Sequence, residues 1–208
     1  MLKPLTKEQT DSILRIAAEE FADKGFAGTA VSKIAKKAGV SVGVIYKYYA
    51  GKEDLFNACV AKSLGTMEEV LNTAKTSGGS MLEMADVLIT EAQRFAKENP
   101  EYIRLYHQIT ATGSPSGKTQ SAELIESGTA RLYEGFIKSA SEKGAIRRDI
   151  DPSAFAFFFD NLMMMLHFSY ACDYYKDRFR IYCGDDAPDK DEFIKEQLMK
   201  FIGGALNG

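Results

Sequence analysis

A chain of 208 residues, 45% hydrophobic and 26% charged, can form one domain with a large core or a small domain fused to a larger one. Its five prolines leave room for long helices, and no apolar run approaches the roughly 18 residues of a membrane span. A net charge of −3 argues against nucleic acid, yet Lys24, Lys33, Lys36, Lys37, Lys47 and Lys52 are the only charges between residues 24 and 52; that segment is +6 and the rest of the chain −9, which predicts an anion-binding face on an acidic body.

The first residues, "MLKPLTKEQT", contain no apolar signal segment, which predicts a cytoplasmic protein. Thr6 and Gln9 form a capping-box pattern ahead of the apolar stripe Ile13, Ile16, Ala17 and Phe21, and Gly25 supplies the stop. A short helix after Thr29 turns Val31, Ile34, Ala35 and Ala38 inward and ends at Gly39. Ser41 caps a second short helix, Val42–Tyr49. A long helix from about Lys52 to Lys75 carries Glu53 and Asp54 in its first turn, where the helix dipole favours acids. After a small-residue break at Ser77–Ser80, helices are predicted over Met81–Glu98 and from Pro100 to about Thr110. "ATGSPSGKTQ" reads as a loop. Helix resumes to Lys143, Asp151-Pro152 opens a long helix to about Tyr182, and a last helix runs to about Ile202. The prediction is an all-α chain of about nine helices: a three-helix head, residues 1–51, and a helical body, residues 52–208.

The head has the logic of two helices crossed over a tight turn. Ala35 permits close crossing, Gly39 supplies the left-handed turn, Val40 plugs it, Ser41 caps and Ile45 returns to the core. With Ile45 and Tyr49 inward, the outward set is Val42, Gly43, Tyr46, Lys47 and, at its edge, Tyr48. Such a face suits the major groove: Gly43 allows close approach, Val42 and Val44 suit thymine methyls, Tyr46 and Tyr48 donate to phosphate, and Lys47 and Lys52 neutralise it. No Arg, Asn or Gln on this helix offers bidentate base reading, so specificity should lean on methyl contacts, lysine donors and DNA shape. A tyrosine-rich helix is more often core, and lysines on a helix are more often merely solvated. Here turn chemistry, amphipathic phase and charge asymmetry agree on one segment.

The stretch "FADKGFAGTAVSKIAKKAGVSVGVIYKYYAGKEDLF" resembles the N-terminal DNA-binding domain of TetR-family transcriptional regulators. The resemblance rests on Gly25-Phe26, Thr29, Ile34-Ala35, Ala38-Gly39-Val40-Ser41, Gly43, Ile45-Tyr46, Tyr48 and Lys52-Glu53-Asp54-Leu55, about a quarter of the chain. Ala30 replaces the family's second common threonine, which removes one candidate phosphate contact, and Tyr49 replaces its usual Phe. The resemblance implies an all-α homodimer on double-stranded, palindromic operator DNA. By position it places Thr29 and Lys33 at the helix bracing the DNA backbone and Ser41, Val42, Gly43 and Lys47 on the base-reading face. Tyr46, Tyr48 and Lys52 fall where the backbone or adjacent methyls are met. "GAIRRDIDPSAFAFF" resembles the entry to the family's eighth helix.

In the body, "AFAFFFDNLMMMLHFSYACDYY" is apolar nearly all round and must be covered on every side. With the last helix's Phe193, Ile194, Leu198, Phe201 and Ile202 it suits a four-helix dimer interface. A small-molecule ligand between helices, as the resemblance implies, has candidate contacts in Tyr106, His107, Phe159, Met163, His167 and Tyr170. Core packing is the plainer role for any single methionine. Asp160 and Asn161, polar within an apolar helix, need partners if buried: a ligand or the partner chain. Three cysteines without a metal-site spacing read as free buried thiols, and two histidines are too few for a histidine-rich metal site; neither metal nor cofactor is expected. The favoured reading is a ligand-released repressor. A constitutive or protein-partner-controlled DNA-binding protein is the alternative. A helical enzyme finds no nucleophile triad, P-loop or GxGxxG to support it.

Overall fold

The computed structural model describes residues 4–76, 79–112 and 120–207. The helices are α1 Lys7–Gly28, α2 Val31–Lys37, α3 Val42–Tyr48, α4 Lys52–Thr76, α5 Met81–Glu98, α6 Pro100–Thr112, α7 Gln120–Glu142, α8 Pro152–Ala171, α9 Asp173–Cys183 and α10 Asp191–Asn207, with a short 3-10 turn at Ala187–Asp189. The all-α expectation holds, with no strand among the described residues. The loop predicted at 111–120 and the break at 77–80 fall largely outside them.

The chain divides into two compact units, Met1–Thr66 with Glu101–Ser121, and Met67–Pro100 with Ala122–Gly208. This differs from a boundary after residue 51, because α4 supplies the floor of the head. Phe56 packs edge-on against Phe21 and Phe26, with ring centroids 5.1 and 5.5 Å away. Leu55 and Cys59 are fully buried, and the Cys59 thiol donates to the Leu14 carbonyl at 3.5 Å.

In the first unit, Thr6 closes the predicted capping box with Gln9, and Ile13, Leu14, Ala17, Ala18 and Phe21 form the buried stripe of α1. At Gly25 the backbone takes φ 69°, so the helix kinks where the stop was read. A Cβ there would lie 3.0 Å from the Gln108 amide of α6. With its nitrogen turned toward α1, that amide donates to the carbonyls of Phe21 (2.5 Å) and Ala22 (3.1 Å). Carbonyls left open by the kink thus find a donor on α6, whose Tyr102, Ile103, Leu105, Tyr106 and Ile109 are buried.

In the second unit, Ser80 and Glu83 cap α5 reciprocally, with Glu83 N–H donating to Ser80 Oγ at 3.2 Å and Ser80 N–H to Glu83 Oε2 at 2.6 Å. Asp151 accepts from Ala154 N–H at 2.7 Å and opens α8 with Pro152 at its first turn. Gln93 on α5 donates to the Tyr170 hydroxyl of α8 (3.1 Å) and to the Asp191 carbonyl at the start of α10 (3.0 Å), a polar knot among three helices.

The long helix predicted from Asp151 to Tyr182 is two helices. Cys172 is extended (φ −106°, ψ 129°) and separates α8 from α9. No Gly or Pro marks the break. Packing decides it: α9 lays Tyr175 on Phe168 and Phe179 on Tyr170, with centroids 5.3 and 5.6 Å apart. Cys59 and Cys172 are buried free thiols, whereas Cys183 is exposed at the end of α9, contrary to the expectation of three buried ones.

Candidate nucleic-acid interface

The turn between α2 and α3 is built as its residues require. Gly39 takes φ 66°, and Val40 N–H reaches back to the Ala35 carbonyl at 3.0 Å. Ser41 Oγ accepts from Val44 N–H at 3.3 Å and caps α3. Ile34, Ala35 and Ile45, almost wholly buried, lock the two helices together. The i,i+4 spacing then turns Gly43 and Lys47, with Tyr46, to solvent. Tyr46 is 52% exposed and Tyr48 40%, while Val42 and Val44 are half-buried.

Gly43 has no internal reason to be glycine. A Cβ there would meet nothing closer than Ser41 Oγ at 3.8 Å, ordinary contact. The chain thus gives up helix propensity on an exposed helix with no packing gain of its own.

The six lysines divide into two sets. Lys24 and Lys37 both reach Glu20, a carboxylate 2% exposed on α1; Lys37 Nζ is 2.8 Å away and also 3.8 Å from Glu19. The Lys24 and then the Lys37 ammonium hold the Glu20 carboxyl below its usual range. Lys52 does not point outward as expected. Its Nζ donates to the carbonyls of Phe26 (2.8 Å), Thr29 (3.1 Å) and Ala27 (3.5 Å), and lies 4.5 Å from the Phe26 ring centroid. It caps the end of α1. Lys33, Lys36 and Lys47 are exposed and have no carboxylate partner among the described residues; Lys47 lies 5.8 Å from the Tyr48 ring.

Two further expectations shift. Thr29 is buried, its hydroxyl turned to the carbonyls of Glu20 (2.9 Å) and Gly25 (2.8 Å), so it braces the kink. Tyr48 accepts the Leu5 N–H at 2.8 Å, which ties the segment before α1 to the end of α3 and leaves the phenol proton free to donate.

Residues 13–59 match the sequence profile of bacterial regulatory proteins, tetR family. Over that segment the chain is similar to the TetR family. The matched stretch contains the turn, the Gly43 face and all six of the lysines above. Over 140 residues, 67% of this chain and 71% of the relative, it is 26% identical to a fatty acid metabolism regulator protein of Bacillus subtilis (strain 168). Its fold matches the solved ketosteroid transcriptional regulator KstR2 of Mycobacterium tuberculosis over the full length of both chains, with TM-score 0.72 and 17% identity. It also matches AibR, solved in complex with isovaleryl coenzyme A and operator DNA, with TM-score 0.67 and 19% identity over 93% of this chain and 97% of that one. This protein is a DNA-binding transcriptional regulator.

The remaining candidate residues fall in different units. Tyr106 and His107 lie on α6 of the first unit; Phe159, Met163, His167 and Tyr170 lie on α8 of the second. Phe159 and Met163 are buried, and the Tyr170 hydroxyl is already held by Gln93. His167 Nδ1 is 2.9 Å from the Met163 carbonyl, and burial pushes the imidazole down to about 4. Of the proposed dimer stripe, Phe193 and Phe201 are 52% and 65% exposed, Ile194 and Leu198 are half-buried, and Ile202 is buried within its own chain. Ile202 therefore belongs to the core; at i+8 and i+9 from Phe193, Phe201 and Ile202 sit about a quarter turn apart, enough to send one out and one in. Sequence reasoning missed Phe157 and Phe158, both more than 60% exposed on α8, because the whole segment is apolar and periodicity cannot phase it. Among the described residues no group of three or more His, Cys, Asp or Glu could hold a metal ion, and no helix is long and apolar enough to cross a membrane.

Proposed function

We propose that this protein acts as a homodimeric repressor that reads a palindromic operator with the α3 face Val42, Gly43, Tyr46 and Lys47, and leaves it when an apolar or amphipathic small molecule occupies the helical body. The observation that carries the DNA half is Gly43: an exposed helical glycine, unexplained by the protein's own packing, beside lysines without carboxylate partners. The ligand half is supported by likeness to a fatty acid metabolism regulator and to a regulator solved with an acyl coenzyme A. Two half-sites about one helical turn (~34 Å) apart must be met at once, so a modest change in the spacing of the α3 pair ends binding. Ligand acts by favouring the mismatched spacing, a population shift. Phe157, Phe158, Phe193 and Phe201 supply the dimer surface.

The test has two steps. Selection from random DNA should return an inverted repeat, and fluorescence anisotropy on that DNA should show release by acyl coenzyme A or sterol-type compounds that bind the protein. A ligand that binds and leaves operator affinity unchanged would sink the release reading in favour of constitutive or partner-controlled binding.

A further inference from the structure

The kink of α1 is held by donors from three separate parts of the chain. The Thr29 hydroxyl is turned to the carbonyls of Glu20 (2.9 Å) and Gly25 (2.8 Å). Lys52 Nζ, at the start of α4, donates to those of Phe26, Ala27 and Thr29. The Gln108 amide of α6 donates to those of Phe21 (2.5 Å) and Ala22 (3.1 Å). Thr29 and Lys52 belong to the segment of residues 13–59 that carries the helix-turn-helix. Gln108 lies outside it, in a helix with no residue on the DNA-reading face.

The need for that distant donor is local. In an unbroken helix each carbonyl accepts from the N–H four residues on. Gly25, at φ 69°, turns the chain out of that path, and the carbonyls before it need another donor. The fit is also steric, since a Cβ on Gly25 would stand 3.0 Å from the Gln108 amide. The neighbours of Gln108 do not share the task. Glu101, Arg104 and Gln108 lie on one face of α6, at i, i+3 and i+7. Glu101 Oε1 and Arg104 Nε are buried there without a hydrogen-bond partner among the described residues. Of the three, the Gln108 amide is the group with acceptors on α1.

The kink decides the direction in which the chain leaves α1 for α2, which begins at Val31. Ile34, Ala35 and Ile45 lock α2 to α3, so the pair turns as one body and carries the Val42, Gly43, Tyr46 and Lys47 face with it. We propose that Gln108 is a positioning residue for DNA reading: its amide holds the α1 kink at the angle that presents the α3 face to the groove. Without it Gly25 is free to return to the helical φ of about −63°, and the pair turns away from the fitting angle. The inference rests on the α3 reading face proposed above, and it requires neither a releasing ligand nor a palindromic operator.

The experiment uses the full chain, the tightest-bound duplex that selection from random DNA returns, and a scrambled duplex of equal length. Affinities are read by anisotropy at one salt concentration. Gln108→Leu keeps the bulk of the side chain and removes the donor; Gly25→Ala disfavours the positive φ and crowds the amide. Each should weaken binding to the selected duplex by at least about tenfold, the scale of a coupling between touching groups. Each should change the scrambled duplex by about twofold or less, because lysines neutralise phosphate whatever the sequence. The double variant should lose no more than the larger single loss, since both changes act on one kink. Amide hydrogen exchange should quicken at residues 21–29 and stay unchanged in α8.

Thermal melts show which variants fold. Ile137→Ala, fully buried in α7, loses stability elsewhere in the chain and should bind the selected duplex like wild type. Gln108→Leu that folds and behaves like Ile137→Ala overturns the proposal; so do equal losses on the two duplexes or additive losses in the double variant. If Gln108→Leu does not fold, the two affinities of Gly25→Ala decide by the same criteria. Lys47→Ala separates this inference from the reading beneath it. Wild-type affinity in Lys47→Ala overturns the α3 face and the inference with it, whereas a loss in Lys47→Ala and none in Gln108→Leu overturns the inference alone.

Discussion

The ammonium of Lys52 lies 2.8 Å from the carbonyl oxygen of Phe26 and 4.5 Å from the centroid of the same residue's ring. One side chain from the start of α4 closes the end of α1 by hydrogen bond and cation–π contact together. Lys52→Met should lower the stability of the DNA-free protein by about 1–3 kcal/mol, the range for a charge-assisted hydrogen bond lost in place. It should leave the salt dependence of operator binding nearly unchanged. Thermal melting and anisotropy across a salt series read the two effects separately; a reduced salt slope would return Lys52 to the phosphate face.

The same division of lysines sets the salt dependence of the wild type. Lys33, Lys36 and Lys47 are the lysines of residues 24–52 left for phosphate, which makes six in a dimer. Counterion release then predicts a slope of log K against log salt of about −5; engagement of all six per protomer would give about −11. Lys47→Ala should reduce the slope, and Lys37→Ala should act mainly by leaving the buried Glu20 short of a partner.

Gly43→Ala should separate folding from function. Alanine is favoured over glycine in a helix by up to about 1 kcal/mol, and the added Cβ meets only Ser41 Oγ at 3.8 Å. The melting temperature should rise while operator affinity falls. A variant that is more stable and binds DNA as well as wild type would show that no base edge approaches α3 at this point.

Asp160 and His167 should oppose each other in acid. The Asp160 carboxyl rises from an ordinary 3.8 to about 6, so between those values the folded state holds the extra proton and stability falls as pH rises. The imidazole is depressed from 6.5 to about 4, so the unfolded state holds its proton and stability falls as pH drops through that window. Wild-type stability should therefore vary little between about pH 4 and 6 from these two groups. Asp160→Asn should gain about 1–2 kcal/mol at pH 7.5 and then lose stability steadily in acid as His167 is protonated. Denaturant melts at three pH values check this; a flat profile in Asp160→Asn would refute the His167 assignment.

Phe201→Glu should break the dimer without unfolding the chain, since the ring is 65% exposed. Ile202→Ala should instead destabilise the protomer by about 2–5 kcal/mol, as for a buried aliphatic truncated in a core. Sedimentation and melting of the two neighbours distinguish an interface residue from a core one.

The head was nearly legible from its residues because its signals are local. Thr6 and Gln9, Gly25, Gly39 and Ser41 each act within a few residues of themselves, through a cap or a backbone dihedral, and each does in the structure what its type predicts, as does Asp151 at the start of α8 in the body. The S-x-x-E pattern at Ser80–Glu83 is an equally local signal and closes a capping box at the start of α5. The α3 face was also legible, since a period of 3.6 and one buried Ile45 fix which residues point away.

What the amino-acid order determined by itself was therefore the helical class, the helix-turn-helix and the side of α3 that faces outward. The destination of each long side chain was decided only by tertiary structure. Lys52 and Lys47 are the same residue in the same basic segment, yet one closes α1 and the other stays in solvent, because only one lies within reach of three unsatisfied carbonyls. The break at Cys172, the burial of Ile202 beside exposed Phe201, and the entry of α6 into the head's compact unit have the same origin. Each depends on residues far apart in the chain competing for one apolar or polar partner, and local propensity does not contain that competition.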